Sequence, residues 1–400
     1  MIHSAIRLIQ FVAIAGCISS SSYYLLCLWS AFRFLRVGEA SMSARSTLSL
    51  PPVSILKPLK GTDPDIYKSF RSHCLQDYPE YEIIFGVSDP ADPAVVSVRQ
   101  LQQEFPQRAI RLVVCDKLLG SNVKVSNLAQ MLPVVRHEYL LINDSDIQVE
   151  PDYLRRVIAP LADDKVAEGK VTDKQVGMVT CLYRGVASPT LGSHLESLGI
   201  STDFCAGVLV ARQIEGGLRF GLGSTLAFRR AHLDQAGGFL PIVDFLADDY
   251  ELGRRIWDLG RQVHLSDVVV ETHLPPYSLR EFLAHQLRWA RGVRAARAGG
   301  YAGMIATFGL IWALLNLIAA HAAPWSWAVL GVVVLLRLAV AFAVGRSVLH
   351  DHQLLKHLWL LPVRDLIAVL VWIASFAGRT VTWRGDRFTL KNGRLTRIPR

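Results

Sequence analysis

Tyr139-Leu140-Leu141-Ile142-Asn143-Asp144-Ser145-Asp146 is the stretch on which the reading of this chain turns. A short apolar run bounded by turn-forming residues reads as a buried strand. Two aspartates, one residue apart, stand immediately past its end and aim at one crevice. Close carboxylates repel, and keeping both ionised is expensive unless a cation sits between them. Mg²⁺ and Mn²⁺ take oxygen ligands and commonly bridge carboxylates to substrate phosphates. Alone the pattern is weak, because a polar turn after a buried strand has the same letters.

Working outward, further short β-rich runs occur at Val53–Leu56, Tyr81–Val87, Ile110–Val114 and Val176–Cys181. Helix-like stretches such as Val95–Phe105 and Asn127–Val135 lie between them. Strand–helix alternation predicts an α/β domain with a mainly parallel sheet, whose ligands bind at the carboxyl ends of the strands. Three more elements fit such a site. Val87-Ser88-Asp89-Pro90-Ala91-Asp92 follows the run Tyr81–Val87; a Pro-containing turn is its bland reading. Leu246-Ala247-Asp248-Asp249-Tyr250 comes after the glycine-rich Phe220-Gly221-Leu222-Gly223-Ser224. Aspartates also favour helix N-termini, and a carboxylate so placed can act as a general base. His285-Gln286-Leu287-Arg288-Trp289 supplies a planar guanidinium suited to a diphosphate and an indole that can stack on a sugar. An interfacial helix with a membrane-facing Trp is the competing reading. Lys124, within Gly120–Asn127, either reaches a diphosphate or is a surface lysine.

The chain has 400 residues, 51% of them hydrophobic, and a formal net charge of +9. The apolar residues cluster at the two ends. Leu8–Ala31 has no charge inside it and is long enough to span a bilayer. Arg33, Arg36 and Arg45 follow, which places the next domain in the cytoplasm. The run is too long for a signal-peptide core and no A-x-A site follows it closely. Residues 38–50 form a Ser-rich linker, and 279–300 is basic and amphipathic. Met304–Ala323 and Trp325–Val344 read as two spans. Leu354–Gly378, interrupted by His357, Pro362, Arg364 and Asp365, is expected to lie in the interface or to dip in and out; a full third span is the alternative. Arg379, Arg384, Arg387, Arg394, Arg397 and Arg400 mark a cytoplasmic tail.

The expected organisation is therefore a transmembrane anchor at 1–37, a cytoplasmic catalytic domain at 38–278, an interfacial helix carrying the Arg-Trp motif at 279–300, membrane segments at 301–378 and a basic tail at 379–400. The apolar stretches hold almost no central ionisable groups, which argues against a transporter. The arginines beside apolar runs follow the positive-inside rule, and no nucleic-acid module is visible, so no nucleic-acid partner is expected. Six cysteines without a C-x-x-C pair read as reduced, mostly buried thiols.

The four elements, in this order, resemble the nucleotide-sugar transferases with the GT-A (Rossmann-like) fold, and more closely the ceramide glucosyltransferase family (glycosyltransferase family 21). That family reads D, then D-x-D or a single D, then D, then (Q/R)-x-x-R-W. The matching positions are Asp89, Asp144 with Asp146, Asp249, and Arg288 with Trp289. Pro51–Gly61, Asn122–Asn127 and Leu233–Gly238 also match, so the resemblance covers about residues 50–300. Asp144–Ile147 and Gly120–Leu128 are most similar to bacterial hopanoid-pathway transferases. His285 departs from the pattern at the first position of the last motif, with Gln286 beside it; either can supply the polar contact.

The resemblance implies a membrane-bound, inverting glycosyltransferase of the inner (cytoplasmic) membrane. It would move glucose or N-acetylglucosamine from a UDP-sugar to a hydroxyl of a membrane lipid such as ceramide or a hopanoid polyol. It implies that Asp89 holds the uracil–ribose portion and that Asp144 and Asp146 hold Mg²⁺ or Mn²⁺ on the diphosphate. Lys124 and Arg288 add positive charge, His285 and Trp289 complete the donor site, and Asp249 is the base. A processive polysaccharide synthase using the same motifs is the alternative.

Overall fold

The computed structural model describes residues 2–43, 50–162 and 175–399; Arg45, Arg400 and the centre of the linker 38–50 lie outside them. Eight strands form one sheet: β1 (Val53–Leu59), β2 (Tyr81–Val87), β3 (Ala109–Val114), β4 (Tyr139–Ile142), β5 (Ile147–Gln148), β6 (Val176–Val186), β7 (Leu226–Arg229) and β8 (Gln262–His273), in the order β3-β2-β1-β4-β7-β6-β8-β5. Every residue of β1 and β2 is buried, as an apolar strand covered on both faces requires. The four strands β3-β2-β1-β4 are parallel, with Leu59 paired to Val87 and Leu56 to Ile142. The chain winds outward from β1 through β2 to β3, then returns to place β4 on β1's other side. That reversal opens a crevice at the carboxyl ends of β1 and β4.

Beyond β4 the expected parallel pattern gives way to a mixed one. β7 runs antiparallel to β4, with Leu226 opposite Ile142, and antiparallel to β6, while β6 and β8 are parallel and β5 is antiparallel to β8. The antiparallel β7 has a consequence for the site. Its amino end, preceded by Gly221–Ser224, meets the carboxyl end of β4 on the same sheet edge.

Among the described residues, three helices are long and apolar enough to cross a membrane: Ser4–Arg36, Pro324–Val348 and Leu354–Phe376. The expected span Met304–Ala323 is different. It belongs to a helix pair, Ala298–Thr307 and Gly309–Ala319, bent by 48°. Leu354–Phe376, expected to lie in the interface with a full span as the alternative, is a candidate span, and the bent pair counts as a further one if it crosses as a broken helix. Its interruptions have local explanations. Pro362 lies in the first turn of the helix Leu361–Phe376, where a missing N–H removes no intrahelical bond. Asp365 is paired: Arg337 Nη2 reaches its Oδ1 at 2.7 Å and Asp203 Oδ1 at 2.6 Å. Arg337 is thus a central ionisable group in an apolar helix, contrary to the expectation of almost none, and it is buried while its partners Asp203 and Asp365 are partly exposed. The anchor packs on the bent pair through Gly16, where a Cβ would sit 2.3 Å from the ring of Trp312.

The expected basic tail is a folded unit. Residues 380–397 form an antiparallel meander, β9 (Thr380–Trp383), β10 (Asp386–Lys391) and β11 (Arg394–Arg397). Val381, Phe388, Leu390 and Leu395 make its small core, with Leu246 packed against it. Two backbone bonds tie it to the catalytic domain: Leu246 N to Gly393 O at 3.0 Å, and Leu395 N to Asp244 O at 2.7 Å. All six cysteines are free and buried.

Replacing Arg337 with Met leaves Asp203 and Asp365 without their cation. Removing one partner of a buried pair costs about 3–5 kcal/mol. Arg337→Met is therefore expected to lower the thermal unfolding temperature in detergent clearly; an unchanged value would mean that water, not Arg337, satisfies the two carboxylates.

Candidate functional site

A cavity of about 1630 Å³ opens at the sheet edge described above. The end of β4 is pinned by Asn143, which is buried. Its amide donates to Ser224 O at 2.6 Å and Tyr153 OH at 2.9 Å, and its Oδ1 lies 3.1 Å from His73 Nε2. This anchor turns the next residues into the cavity. Asp144 faces outward, and its backbone carbonyl accepts from the fully buried Lys57 at 3.1 Å. Asp146 accepts from Thr272 Oγ1 at 2.5 Å, from the strand end of β8. Burial, then the charge of Asp144, pushes the Asp146 carboxyl up to about 6. Burial pulls the Lys57 ammonium down to about 7, against the pull of Asp146 and Asp144.

The second half of the cluster comes from two helix starts. Asn122 caps the helix Val123–Met131, its Oδ1 accepting from Val125 N at 3.2 Å, and its amide donates to Asp248 Oδ1 at 3.3 Å. Lys124, in the first turn, lies 2.7 Å from Asp144 Oδ1 and 3.3 Å from Asp248 Oδ2. Burial opposes its charge, but Asp144, Asp248 and Asp249 together hold its pKa above the usual lysine value. Asp248 and Asp249 open the helix Asp248–Asp258, where negative charge suits the dipole. Asp249 Oδ2 accepts from Gly223 N at 2.7 Å. Burial and the charge of Asp248 push the Asp249 carboxyl up to about 6, while Lys124 pulls the other way.

Gly223 is the point of closest approach between the two halves. A Cβ there would lie 3.0 Å from Asp144 Oδ2 and 3.3 Å from Asp249 Oδ2. Gly253 supports the same loop from below: its Cβ would fall 2.1 Å from Gly221 N, so the helix and the loop touch backbone to backbone.

The helix Leu279–Ala296 begins in a capping box formed by Ser278 and Glu281 and brings His285, Arg288 and Trp289 to the cavity wall. Trp289 packs inward, edge-on to Phe204 with ring centroids 5.5 Å apart, rather than facing a bilayer. Both polar residues at the departing motif position turn to one buried acid. Gln286 Nε2 donates to Glu196 Oε2 at 2.7 Å, and His285 Nδ1 lies 3.4 Å from the same oxygen. Burial lowers the Arg288 pKa, whereas Tyr277 and Glu196 favour its charge.

Lys124, Asp144, Asp146, Asp249, His285, Arg288 and Trp289 therefore share one cavity. Asp89 does not line it. That residue is exposed at the carboxyl end of β2, and its Oδ1 accepts from Ala91 N at 2.8 Å in a local turn. The sequence reading missed Arg384, which lines the cavity from the β9–β10 turn. Its Nη1 donates to Lys60 O at 3.0 Å and lies 3.4 Å from Asp63 Oδ1; Asp63 in turn accepts from Ser145 within the Asp144–Asp146 motif. Arg384 and Gly385 have φ of 49° and 85°, the pattern of a tight two-residue hairpin.

Comparison with known proteins identifies the family and the fold. Residues 12–396 match the family model described as glycosyl transferase family 21. Ceramide glucosyltransferase 1 and ceramide glucosyltransferase 3 of Caenorhabditis elegans are 22% and 23% identical to this chain; the matches span 96% and 86% of this chain and 81% and 74% of those proteins. Among solved structures, the mannosyltransferase PcManGT from Pyrobaculum calidifontis, in complex with GDP-Man and Mn²⁺, has a TM-score of 0.53 at 20% identity, covering 92% of this chain and 99% of that one. The shared fold is the mixed α/β sheet of GT-A transferases.

Because Lys124 holds Asp249 below where burial alone would put it, Lys124→Met is expected to raise the Asp249 midpoint above about 6. A carboxyl titration followed by infrared difference spectroscopy, with Asp249→Asn to assign the band, reads this directly. A midpoint that stays put or falls would mean that Lys124 does not face Asp249.

Proposed function

This chain belongs to glycosyltransferase family 21, and we propose that it moves glucose or N-acetylglucosamine from a UDP-sugar to a hydroxyl of a membrane lipid, such as ceramide or a hopanoid polyol, with inversion. One observation carries this reading. The cavity that holds Lys124, Asp144, Asp146, Asp249 and Arg288 continues without interruption to walls made by Tyr24, Ile311, Val340 and Trp372 of the membrane helices. A water-soluble donor can enter at the charged end while a lipid enters at the apolar end. The expected placement at the inner membrane, multi-pass with the catalytic domain in the cytoplasm, rests on the candidate spans and on Arg33 and Arg36 at the C-terminal end of the first of them.

Asp144 and Asp146 fit a divalent cation of the Mg²⁺ or Mn²⁺ kind. The rise of Asp146 to about 6, in part from the charge of Asp144, is a repulsion that a cation relieves. No group of three or more His, Cys, Asp or Glu side chains suited to a metal occurs among the described residues. Two carboxylates suffice for an ion that takes its other oxygens from phosphate and water. When bound, such an ion neutralises charge on the diphosphate leaving group.

The remaining roles belong to the chain itself. Lys124 and Arg288 place two further cations toward the leaving group, in a site where fixed charges need no rearrangement during reaction. Asp248 orients Lys124 through their 3.3 Å contact. Asp249 takes the proton of the attacking lipid hydroxyl; its pKa near 6 keeps it mostly ionised at neutral pH yet more basic than an ordinary aspartate. Gly223 N donates to Asp249 Oδ2 and Tyr250 N to its Oδ1, each at 2.7 Å, which fixes the orientation of the carboxylate while each oxygen keeps a lone pair for the acceptor hydroxyl. Trp289 and His285 form the wall against which the sugar lies, and Asp89, outside the cavity at the end of β2, is assigned to the uracil–ribose portion.

The test is transfer by the purified protein with Mg²⁺ or Mn²⁺, a panel of UDP-sugars and a total lipid extract, read by mass spectrometry. A lipid carrying a single sugar is expected, with Asp249→Asn slower by about 10²–10⁴-fold. The wild-type rate should fall as pH drops below about 6, because the base becomes protonated, and should level off above it. A long polymer as product would instead establish a processive synthase; equal rates for wild type and Asp249→Asn would remove Asp249 from its role.

A further inference from the structure

The inner end of the cavity holds polar groups that the transfer chemistry does not use. Arg364, on the helix Leu361–Phe376, is only 7% exposed. Its Nη2 donates to Gln286 Oε1 at 2.9 Å, but its Nε and Nη1 find no hydrogen-bond partner among the described residues. Opposite stands Asp203, in the turn Ile200–Phe204. Its Oδ1 is taken by Arg337, whereas its Oδ2 is buried and has no hydrogen-bond partner among the described residues. Asp203 Oδ2 and Arg364 Nη2 lie 3.8 Å apart, too far for a hydrogen bond. Buried donors and acceptors are ordinarily satisfied, so the unpartnered Arg364 Nη1 and Asp203 Oδ2, on neighbouring side chains of one cavity wall, point to a place for a polar ligand group. Both residues are on the cavity wall.

The guanidinium is held in place from two sides. Gln286 is itself fixed by Glu196, and Gly199 lets Arg364 lie against bare backbone, where a Cβ would fall 2.5 Å from Nη2. The local charge also discriminates. Arg337 and Arg364 are matched by Asp203, Asp365 and Glu196, so no net positive field awaits an anion. A group that accepts from Arg364 and donates to Asp203 is a hydroxyl or a hydroxy-amide. Tyr183, packed on Phe204 with ring centroids 5.4 Å apart, lines the same cavity as Asp144 and Asp249, which connects this end of the cavity to the base. Val371 and Trp372 continue the wall as an apolar cleft toward the membrane.

We propose that Arg364 and Asp203 form a subsite for the uncharged, hydroxylated headgroup of the lipid acceptor, and that this subsite discriminates against anionic phospholipids. The proposal rests on the reading of the protein as a lipid glycosyltransferase, but its test measures binding rather than transfer.

The full chain in detergent is titrated with monooleoylglycerol, N-oleoylethanolamine and oleoyl lysophosphatidate, following tryptophan fluorescence, since Trp289 and Trp372 line the cavity. The two neutral lipids are expected to bind, with lysophosphatidate at least about tenfold weaker, because its phosphate would meet the Asp203 carboxylate at Oδ2. Arg364→Gln is expected to weaken monooleoylglycerol by about tenfold or more, as is the nearly isosteric Asp203→Asn, while UDP binding by calorimetry stays within about twofold of wild type. Should Arg364→Gln not fold, Asp203→Asn carries the test. Equal binding of lysophosphatidate, no binding of either neutral lipid, or wild-type affinity in the folded variants would overturn the subsite. Intact lipid binding with no glycolipid formed in the extract assay would sink the transferase reading and leave the subsite standing.

Discussion

Like charges crowded on one sheet edge are the constraint that the rest of this structure serves. Asp144, Asp146, Asp248 and Asp249 converge there, and Lys124 is the cation that contacts both halves of the group. Burial first, and then this crowding, displaces the Asp146 and Asp249 carboxyls upward. The supporting residues follow from that demand. Asn143 uses both its amide group and its Oδ1 to hold the end of β4, Gly223 removes the side chain that would push the two halves apart, and Gly253 lets the helix bearing Asp249 sit directly on the loop. Crowding of this kind is tolerated in stability because it is released when cationic and phosphate groups arrive, which is how electrostatic preorganisation operates.

The membrane half answers a different problem with the same device. A charged side chain in an apolar helix is costly unless it is paired inside the protein. Arg337, Asp203 and Asp365 meet that condition, and in doing so they join the helix Pro324–Val340, the helix Leu361–Phe376 and the turn Ile200–Phe204 into one body. Gln286, from the helix that carries Arg288 and Trp289, joins through Arg364. The polar contacts that make the membrane helices cohere therefore also set the position of the catalytic helix, so the two ends of the cavity are mechanically one piece.

The sequence made the first half of the sheet legible. Tyr81–Val87 and Tyr139–Ile142 coincide with their strands because fully buried parallel strands are continuous apolar runs closed by turn residues. The acidic motifs were legible for the same reason: they sit where those runs stop. β7 was not, since four residues between a glycine loop and a helix carry too little pattern, and its reversal made the sheet mixed. Helix polarity hid the role of Trp289, because an amphipathic helix looks alike whether its apolar face meets lipid or a protein core. The bend between Thr307 and Gly309 has no proline to announce it. The C-terminal meander left a signal that arginine counting concealed. Asn392-Gly393, with φ of 50° and 79°, is a strong two-residue hairpin dipeptide between alternating strands. Arg364 was read as an interruption of an apolar segment, and only the fold shows what stands opposite it.

The latch between Arg384 and Asp63 also sets a timetable. The two residues are 321 positions apart, with every candidate membrane span but the first lying between them. At roughly 5–20 residues per second, the ribosome needs about 15–65 s to travel from one to the other. In the last part of that interval, after His273 ends β8 and before Arg384 is made, the sheet and the acidic cluster have been synthesised but the wall that closes over them has not. The cavity can therefore close only after every candidate membrane span has been made. A chain arrested before its last strands emerge holds every carboxylate yet lacks the Arg384 contact to Asp63.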